Sequence, residues 1–310
     1  MFMQETITIQ TRELTRQFGE IVAVNGLNLR VAKGELYGLV GPDGAGKTTT
    51  IRMLASIMKS TSGTAFVLGR DVATEGETIK GKIGYMSQRF GLYEDLTVME
   101  NILFYADLHN VPHHIRRPRI EQLLGFSNLK PFTNRLAGKL SGGMKQKLGL
   151  ACALVHTPEV LFLDEPTNGV DPLSRRDLWR ILYELLREQV TIFISTAYLD
   201  EAERCTRIGL MHKGSIIIED EPGRVKQSLK NPMIEVWTDR VREAGEFAET
   251  LSTVESVGIY GDRLHIALKE KEAAQDILVE LQQKGFPIQN SREIAPNLED
   301  IFIAMVEKNS

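Results

Sequence analysis

The stretch Gly41-Pro-Asp-Gly-Ala-Gly-Lys47-Thr48 puts glycines, an ammonium and a hydroxyl at the spacing G-x-x-x-x-G-K-[ST], a pattern suited to holding linked phosphates. Glycines let the backbone curl until several N–H groups face one anion. A helix N-terminus adds partial positive charge, and a lysine neutralises the outer phosphates. Gly41, Asp43, Gly44, Ala45, Gly46, Lys47, Thr48 and Thr49 are therefore the expected lining of a nucleotide-phosphate site, with the Thr48 hydroxyl offered to Mg²⁺. A second acidic motif, Val160-Leu-Phe-Leu-Asp164-Glu165, supplies what such a site still needs. A buried strand would deliver Asp164 to the metal, through water, and Glu165 toward an attacking water. Phosphoryl transfer depends mainly on positioning and charge stabilisation, so Glu165 is the candidate general base or water-orienting group.

A third motif, Leu140-Ser141-Gly142-Gly143-Met144-Lys145-Gln146, precedes an apolar helical stretch from Lys147 to Val155. Ser141, Gly142 and Gly143 then sit at a helix N-terminus, a second place for an anion. One nucleotide needs only one cradle. The economical resolution is that two chains pair head to tail, each lending this helix end to the other's nucleotide; a glycine cap or a plain turn is the alternative.

The elements that must carry these residues are legible in outline. Glu35 to Val40 is an apolar run entering the glycine loop, and Ile51, Leu54, Ala55 and Met58 recur at helical spacing after it. Val160 to Leu163 and Val190 to Ser195 read as strands covered on both faces of a parallel sheet. Between Leu108 and Leu140, Pro112, Pro118 and Pro131 suggest short helices joined by loops, a helical insert in the sheet domain. Asp171 followed by Pro172 caps a helix with Leu178, Ile181, Leu182 and Leu185 on one stripe, and Lys213-Gly214 separates two strand-like runs. From about Asn231 the predicted order is strand (Ile234 to Trp237), helix (Val241 to Leu251), strand (Val254 to Ile259), strand (Arg263 to Leu268), helix (Lys271 to Lys284) and strand (Pro287 to Gln289). That βαββαβ order suggests a small ferredoxin-like module closed by an amphipathic helix, Leu298 to Glu307. Trp237 and Tyr260 read as core or dimer-contact residues, and no cluster in this module has metal or catalytic spacing.

With 310 residues, two domains are expected, and 42% hydrophobic with 25% charged residues excludes wholesale disorder or a disulfide scaffold. The formal charge of −4 disfavours nucleic acid as the main partner. Two cysteines, Cys152 and Cys205, read as thiols in a reducing compartment, the cytoplasm by default. Met1 to Gln10 has no leader character, and no run approaches the ~20 apolar residues that span a bilayer, so any membrane span would belong to a partner.

Taken in order, GPDGAGKTT, Gln88, LSGGMKQ, LFLDEP and the Gly169-Val-Asp171 turn resemble an ABC-type ATPase cassette over about Leu14 to Glu221. The resemblance implies an α/β fold: a P-loop ATPase cassette over 1–230 with a helical subdomain at about 89–157, then a small α+β (ferredoxin-like) C-terminal domain over 231–310. It implies ATP and Mg²⁺ as cofactors. Lys47, Gln88 and Glu165 would be the catalytic group, with Thr48, Gln88 and Asp164 on the metal. Ser141, Gly142 and Gly143 would touch the partner's γ-phosphate, Asp171 would link the two sites, and Phe18 would stack on adenine. A lone aromatic after a strand can equally serve edge packing, so both roles stay open for Phe18.

The match is closest to single-cassette ATPases serving separate membrane subunits of exporters, with an acidic run like Asp200 to Glu203. The implied partners are integral membrane permease subunits and a second ATP-binding cassette, in a homodimer or heterodimer. The implied location is cytoplasmic, peripheral on the inner face of the cell membrane. The compact stretch between Gln88 and Ser141 would hold the groove for a coupling helix. One position departs from the pattern: where the family usually has a histidine contacting the γ-phosphate and the water, this chain has Ala197. Alanine offers no donor, and losing one oriented donor costs on the order of 10²-fold or more in rate. His156 and His212 do not fill that slot by sequence order. A nucleotide-gated regulatory or catalytically impaired cassette is therefore the second reading. A soluble ABC-type ATPase acting in translation or DNA repair is the third, weakened by the acidity, the single phosphate loop and the short insert.

Overall fold

The computed structural model describes residues 6–88, 91–228, 231–270 and 273–308. Two compact units result, up to Ile216 and from Ile217 onward, a division that falls ahead of the composition change near Asn231.

In the first unit β1 (Ile7–Phe18) and β2 (Ile21–Ala32) form a long hairpin and β3 (Leu36–Val40) runs into α1 (Lys47–Leu54). The chain continues through β4 (Ser62–Val67), β5 (Arg70–Asp71), α2 (Gly76–Lys80) and β6 (Ile83–Met86). Three α-helices follow: α3 (Val98–Leu108), α4 (His113–Phe126) and α5 (Gly142–Leu154). The unit then returns to the sheet with β7 (Val160–Asp164), α6 (Pro172–Arg187), β8 (Thr191–Thr196), the short α7 (Leu199–Ala202) and β9 (Arg207–His212), and the division falls within β10 (Ser215–Asp220).

An antiparallel sheet, β2-β1-β4-β5, accompanies a six-stranded sheet, β10-β9-β3-β8-β7-β6, in which β9, β3, β8, β7 and β6 are parallel. Every residue of β3, β7 and β8 is buried, as expected of central parallel strands. α1 packs on β7 and β8 and also on β2 and β4, with Ile51, Met53 and Leu54 fully buried. An isolated helix shorter than about 12 residues is marginal in water, so this burial, at about 1.5–3 kcal/mol per side chain, holds the helix that opens from the glycine loop. The helical spacing predicted through Met58 stops early: α1 ends at Leu54, and Ser56 turns the chain in the left-handed region at φ 56.

Between Leu108 and Leu140 the expected short helices joined by loops are present, α4 and 3₁₀ helices at Lys130–Phe132 and Ala137–Lys139, but Pro118 does not separate two of them: it lies inside α4. An interior proline costs about 3 kcal/mol, but Ile120, Leu123 and Leu124 are all buried on this helix, and together they outweigh that cost. α5 likewise begins at Gly142, five residues ahead of the predicted Lys147, because Ser141 caps it.

In the second unit α8 (Pro222–Ser228) is followed by β11 (Met233–Thr238), α9 (Val241–Glu249), β12 (Val254–Tyr260) and β13 (Arg263–Leu268). α10 (Ala273–Gln283), β14 (Ile288–Ile294) and α11 (Leu298–Lys308) complete it; Lys271 and Glu272 of the predicted helix lie outside the described residues. α8 packs on α11, which is why the unit starts before the predicted boundary. The antiparallel sheet β12-β13-β11-β14 has ferredoxin-like order, and Val236, Leu264, Ile266, Ile277 and Leu281 form its core. β14 runs on to Ile294, past the predicted Gln289, because ladder bonds to β11 hold a segment with no apolar pattern.

Between α5 and β6, His156 stacks on His109 at 3.7 Å, and its Nε2 lies 3.0 Å from the Ile83 carbonyl. Burial, then the neighbouring His109, pushes the His156 pKa down to about 4. An imidazole whose folded pKa lies below its unfolded value of about 6.5 adds stability above pH 6.5 and loses it as the pH falls toward 4. Urea unfolding should show a loss of about 1–2 kcal/mol between pH 7 and pH 5 from this site, after allowance for its partial exposure. His156→Gln, which keeps a donor for the carbonyl, should flatten that part of the slope; an unchanged slope would exclude His156 as its source.

Candidate functional site

The loop between β3 and α1 is wedged between β2 and β9. Gly46, the N-cap of α1, has φ 110, and a Cβ there would lie 2.3 Å from the Ala23 carbonyl oxygen. A Cβ at Gly41 would lie 2.2 Å from the Met211 carbonyl oxygen, so only glycine fits at either place. The backbone thus opens α1 with its N-terminal amides on a cavity of about 400 Å³, lined by Ala23, Asp43 to Thr49, Gln88 and Glu165.

Lys47 is 4% exposed, and its Nζ lies 2.7 Å from the Gly41 carbonyl, 3.0 Å from that of Pro42 and 3.1 Å from Glu165 Oε1. Glu165 Oε2 accepts from Gln88 Nε2 at 3.0 Å and from Asn168 Nδ2 at 3.4 Å. Glu165 itself adopts φ 49, a left-handed conformation that costs a side-chain-bearing residue on the order of 1 kcal/mol. Its N–H holds that turn by donating to Ser195 Oγ at 3.0 Å and to the Ser195 carbonyl at 3.2 Å.

Asp164, one residue earlier, is fully buried at the end of β7, opposite Ser195 of β8. Its Oδ1 accepts from Thr48 Oγ1 at 2.9 Å and Ser195 Oγ at 2.8 Å, while its Oδ2 is buried without a hydrogen-bond partner. Burial raises the Asp164 pKa; the Ser195 and Thr48 bonds oppose that, and the neighbouring Glu165 adds to it. These residues fit a hard divalent cation. An orphaned carboxylate oxygen and a hydroxyl whose lone pairs stay open while its proton goes to Asp164 are the oxygen donors Mg²⁺ takes, and Gln88 is close by.

The remaining predicted residues gather elsewhere. Ser141 caps α5, accepting weakly from the Met144 N–H at 3.4 Å, and Asp171 caps α6, its Oδ1 accepting from Leu173 at 3.1 Å and Ser174 at 2.9 Å. The Ser174 and Leu173 bonds hold the Asp171 carboxyl below the usual range. A Cβ on Gly143 would lie 2.3 Å from Ser174 Oγ, so the starts of α5 and α6 abut. Ser141, Gly142, Gly143 and Asp171 do not line this cavity, nor does Phe18. Phe18 ends β1 opposite Ile21, is 43% exposed, and carries the Arg16 guanidinium 4.4 Å over its ring. Ala197 is exposed immediately after β8; His156 and His212 do not line the cavity.

Sequence reasoning missed Ser195, which joins Asp164 to the Glu165 backbone, and the buried Glu201, which accepts from Thr167 and Thr196. The available signal was a serine ending an otherwise apolar run beside the acidic strand. In the second unit Glu235, His265 and Asp300 form a buried row, with His265 Nδ1 2.9 Å from Asp300 and Nε2 3.3 Å from Glu235. Arg263, Arg292 and Tyr260 complete it, and among the described residues no group of this kind could hold a metal ion.

Residues 24–168 match the ABC transporter family, and residues 221–306 match the C-terminal domain of ATP-binding proteins like DrrA1-3. The probable multidrug ABC transporter ATP-binding protein YbhF of Escherichia coli (strain K12) is 46% identical over 286 residues, covering 92% of this chain and 49% of that protein. The chain thus spans about half the length of that relative. The daunorubicin/doxorubicin resistance ATP-binding protein DrrA of Streptomyces peucetius is 34% identical, covering 98% of this chain and 94% of that one. Among solved structures, the dimeric post-hydrolysis state of an ATP-binding cassette bound to ADP and Pi superposes with a TM-score of 0.64 at 26% identity. The match covers 69% of this chain and 98% of that one.

The Lys47–Glu165 pair has a stability consequence independent of any ligand. Lys47→Met would leave a carboxylate that is 7% exposed with neutral donors only, a loss of about 3 kcal/mol. The double variant Lys47→Met/Glu165→Gln should recover most of that loss in chemical denaturation; additive losses would mean the two groups do not interact.

Proposed function

The chain belongs to the ATP-binding proteins of ABC transporters, and on that footing we propose that it binds ATP with Mg²⁺, closes on a second ATP-binding cassette and hydrolyses the nucleotide to energise an exporter's integral membrane permease subunits. The observation that carries this reading is the convergence of Lys47, Thr48, Gln88 and Glu165 on one cavity at the N-terminus of α1, with Asp164 buried behind it on the Thr48 hydroxyl.

Phosphates seated there would receive the α1 amides and Lys47. The ammonium would exchange its Glu165 contact for phosphate oxygens, and the released carboxylate, still held by Gln88, would orient a water and take its proton. Bound Mg²⁺ would neutralise charge on the outer phosphates, held by Thr48, Asp164 and Gln88. The start of α5, outside its own chain's cavity, would complete the site of the second cassette, with Ser141, Gly142 and Gly143 on its γ-phosphate and Asp171 beside them. Whether that cassette is identical or different follows from its own sequence. Phe18 would offer a ring face to adenine.

Export is supported by the resistance and multidrug functions in the relatives' names. It is also supported by exposed Tyr93, Phe104 and Leu108 on α3 and the segment before it, an apolar surface for a permease helix. No helix among the described residues is long and apolar enough to cross a membrane. The proposal places the spans on the permease and this chain at the inner, cytoplasmic face.

A second reading, closure on nucleotide with little turnover, is favoured by Ala197. Assaying ATP hydrolysis with and without the membrane subunits separates the two. Glu165→Gln should lower kcat by 100-fold or more while ATP affinity is retained, and Ala197→His should speed single-turnover hydrolysis by about 10-fold or more. Full activity in Glu165→Gln would refute its role as base, and an unchanged rate in Ala197→His would show that another group supplies the donor.

A further inference from the structure

We propose that Glu201 is a positioning residue for hydrolysis: its carboxylate clamps the segment after Glu165 and the start of α6 to the end of β8. This rests on the ATPase reading above and adds to it a residue that touches neither nucleotide nor metal.

Glu201, on α7, is fully buried. Its Oε2 accepts from two hydroxyls, Thr167 Oγ1 at 2.8 Å and Thr196 Oγ1 at 2.9 Å. Thr167 lies two residues after Glu165. Thr196 lies between Ser195, which holds both Asp164 and the Glu165 N–H, and position 197. The other oxygen, Oε1, has no hydrogen bond and lies 3.5 Å from Arg175 Nε, which is likewise buried without one. Arg175 is in the first turn of α6: its N–H donates to the Asp171 carbonyl at 2.9 Å, and its guanidinium lies 4.7 Å over the Tyr198 ring.

One desolvated carboxylate therefore ties together three segments that flank the reacting centre. A buried charge is retained at a cost of several kcal/mol unless its partners hold it, so losing either side releases the segments it joins. The clamp also has an input. The start of α6 abuts the start of α5 through Ser174 and Gly143, so the helix end offered to the second cassette is connected through Arg175 and Glu201 to the backbone that aims Glu165. Docking of the two cassettes would thereby be sensed at the hydrolytic carboxylate, not only at the shared nucleotide.

Glu201→Gln tests the link from one side. Its amide oxygen can still accept both threonine hydroxyls, while its NH₂ would face Arg175 Nε, two donors with no acceptor between them. Arg175→Met tests it from the other side, at a half-buried residue whose loss threatens folding less. Expected for each variant is a kcat at least 10-fold below wild type, with KM for ATP and the affinity for a non-hydrolysable ATP analogue within twofold. The double variant should be no slower than the slower single. Three results would overturn the proposal: wild-type kcat per folded molecule with only a lowered Tm, kcat and affinity falling together, or additive losses in the double variant. Should Glu201→Gln not fold, Arg175→Met decides by the same readouts. Wild type assayed in parallel separates the two levels, since its failure to hydrolyse ATP refutes the function itself and this role with it.

Discussion

Two adjacent carboxylates stand at the buried end of one strand, and much of the first unit can be understood as the arrangement that makes this tolerable. Burial raises the cost of ionising Asp164, and the neighbouring Glu165 adds to it. Relief comes from three directions. Thr48 and Lys47 arrive from the loop and helix behind β3, Ser195 from β8, and Gln88 from the segment after β6. β3, β7 and β8 must therefore lie side by side with Asp164 level with Ser195, and α1 must sit over them on an apolar base. The unfavourable backbone at Glu165 belongs to the same solution: in that turn its side chain reaches Lys47 while its N–H stays on Ser195.

The second group of predicted residues follows a different logic. α5 and α6 begin next to each other, both capped by side chains and too tightly packed at Gly143 for any Cβ. Two helix N-termini side by side concentrate partial positive charge away from the chain's own cavity. Asp171, which caps α6, complements part of that charge.

The second unit spends its polar residues on structure. Glu235 receives Arg263, Arg292 and His265, while Asp300 receives His265, Tyr260 and the Asn297 N–H. This row ties α11 to the sheet face opposite the helices α9 and α10, and Trp237 lies between the two arginines at 5.5 and 5.2 Å. Strand alternation explains the division: Ile234 and Val236 point into the apolar core, and Glu235 and Trp237 point the other way.

The sequence alone determined what is local or periodic. The glycine loop, the capped helix at Asp171, the all-apolar strands and the βαββαβ order are each set by neighbouring residues through steric, capping or alternation rules. Tertiary structure decided everything that depends on residues distant in the chain. Pro118 stays inside a helix because buried leucines outweigh it, and β14 extends because β11 pairs with it. Ser195 meets Asp164 across 31 positions, and Glu201 gathers hydroxyls from Thr167 and Thr196 with Arg175 beside them. A polar residue's partners are fixed by which strands become neighbours, and that choice comes from packing the whole core, which no short window of sequence contains.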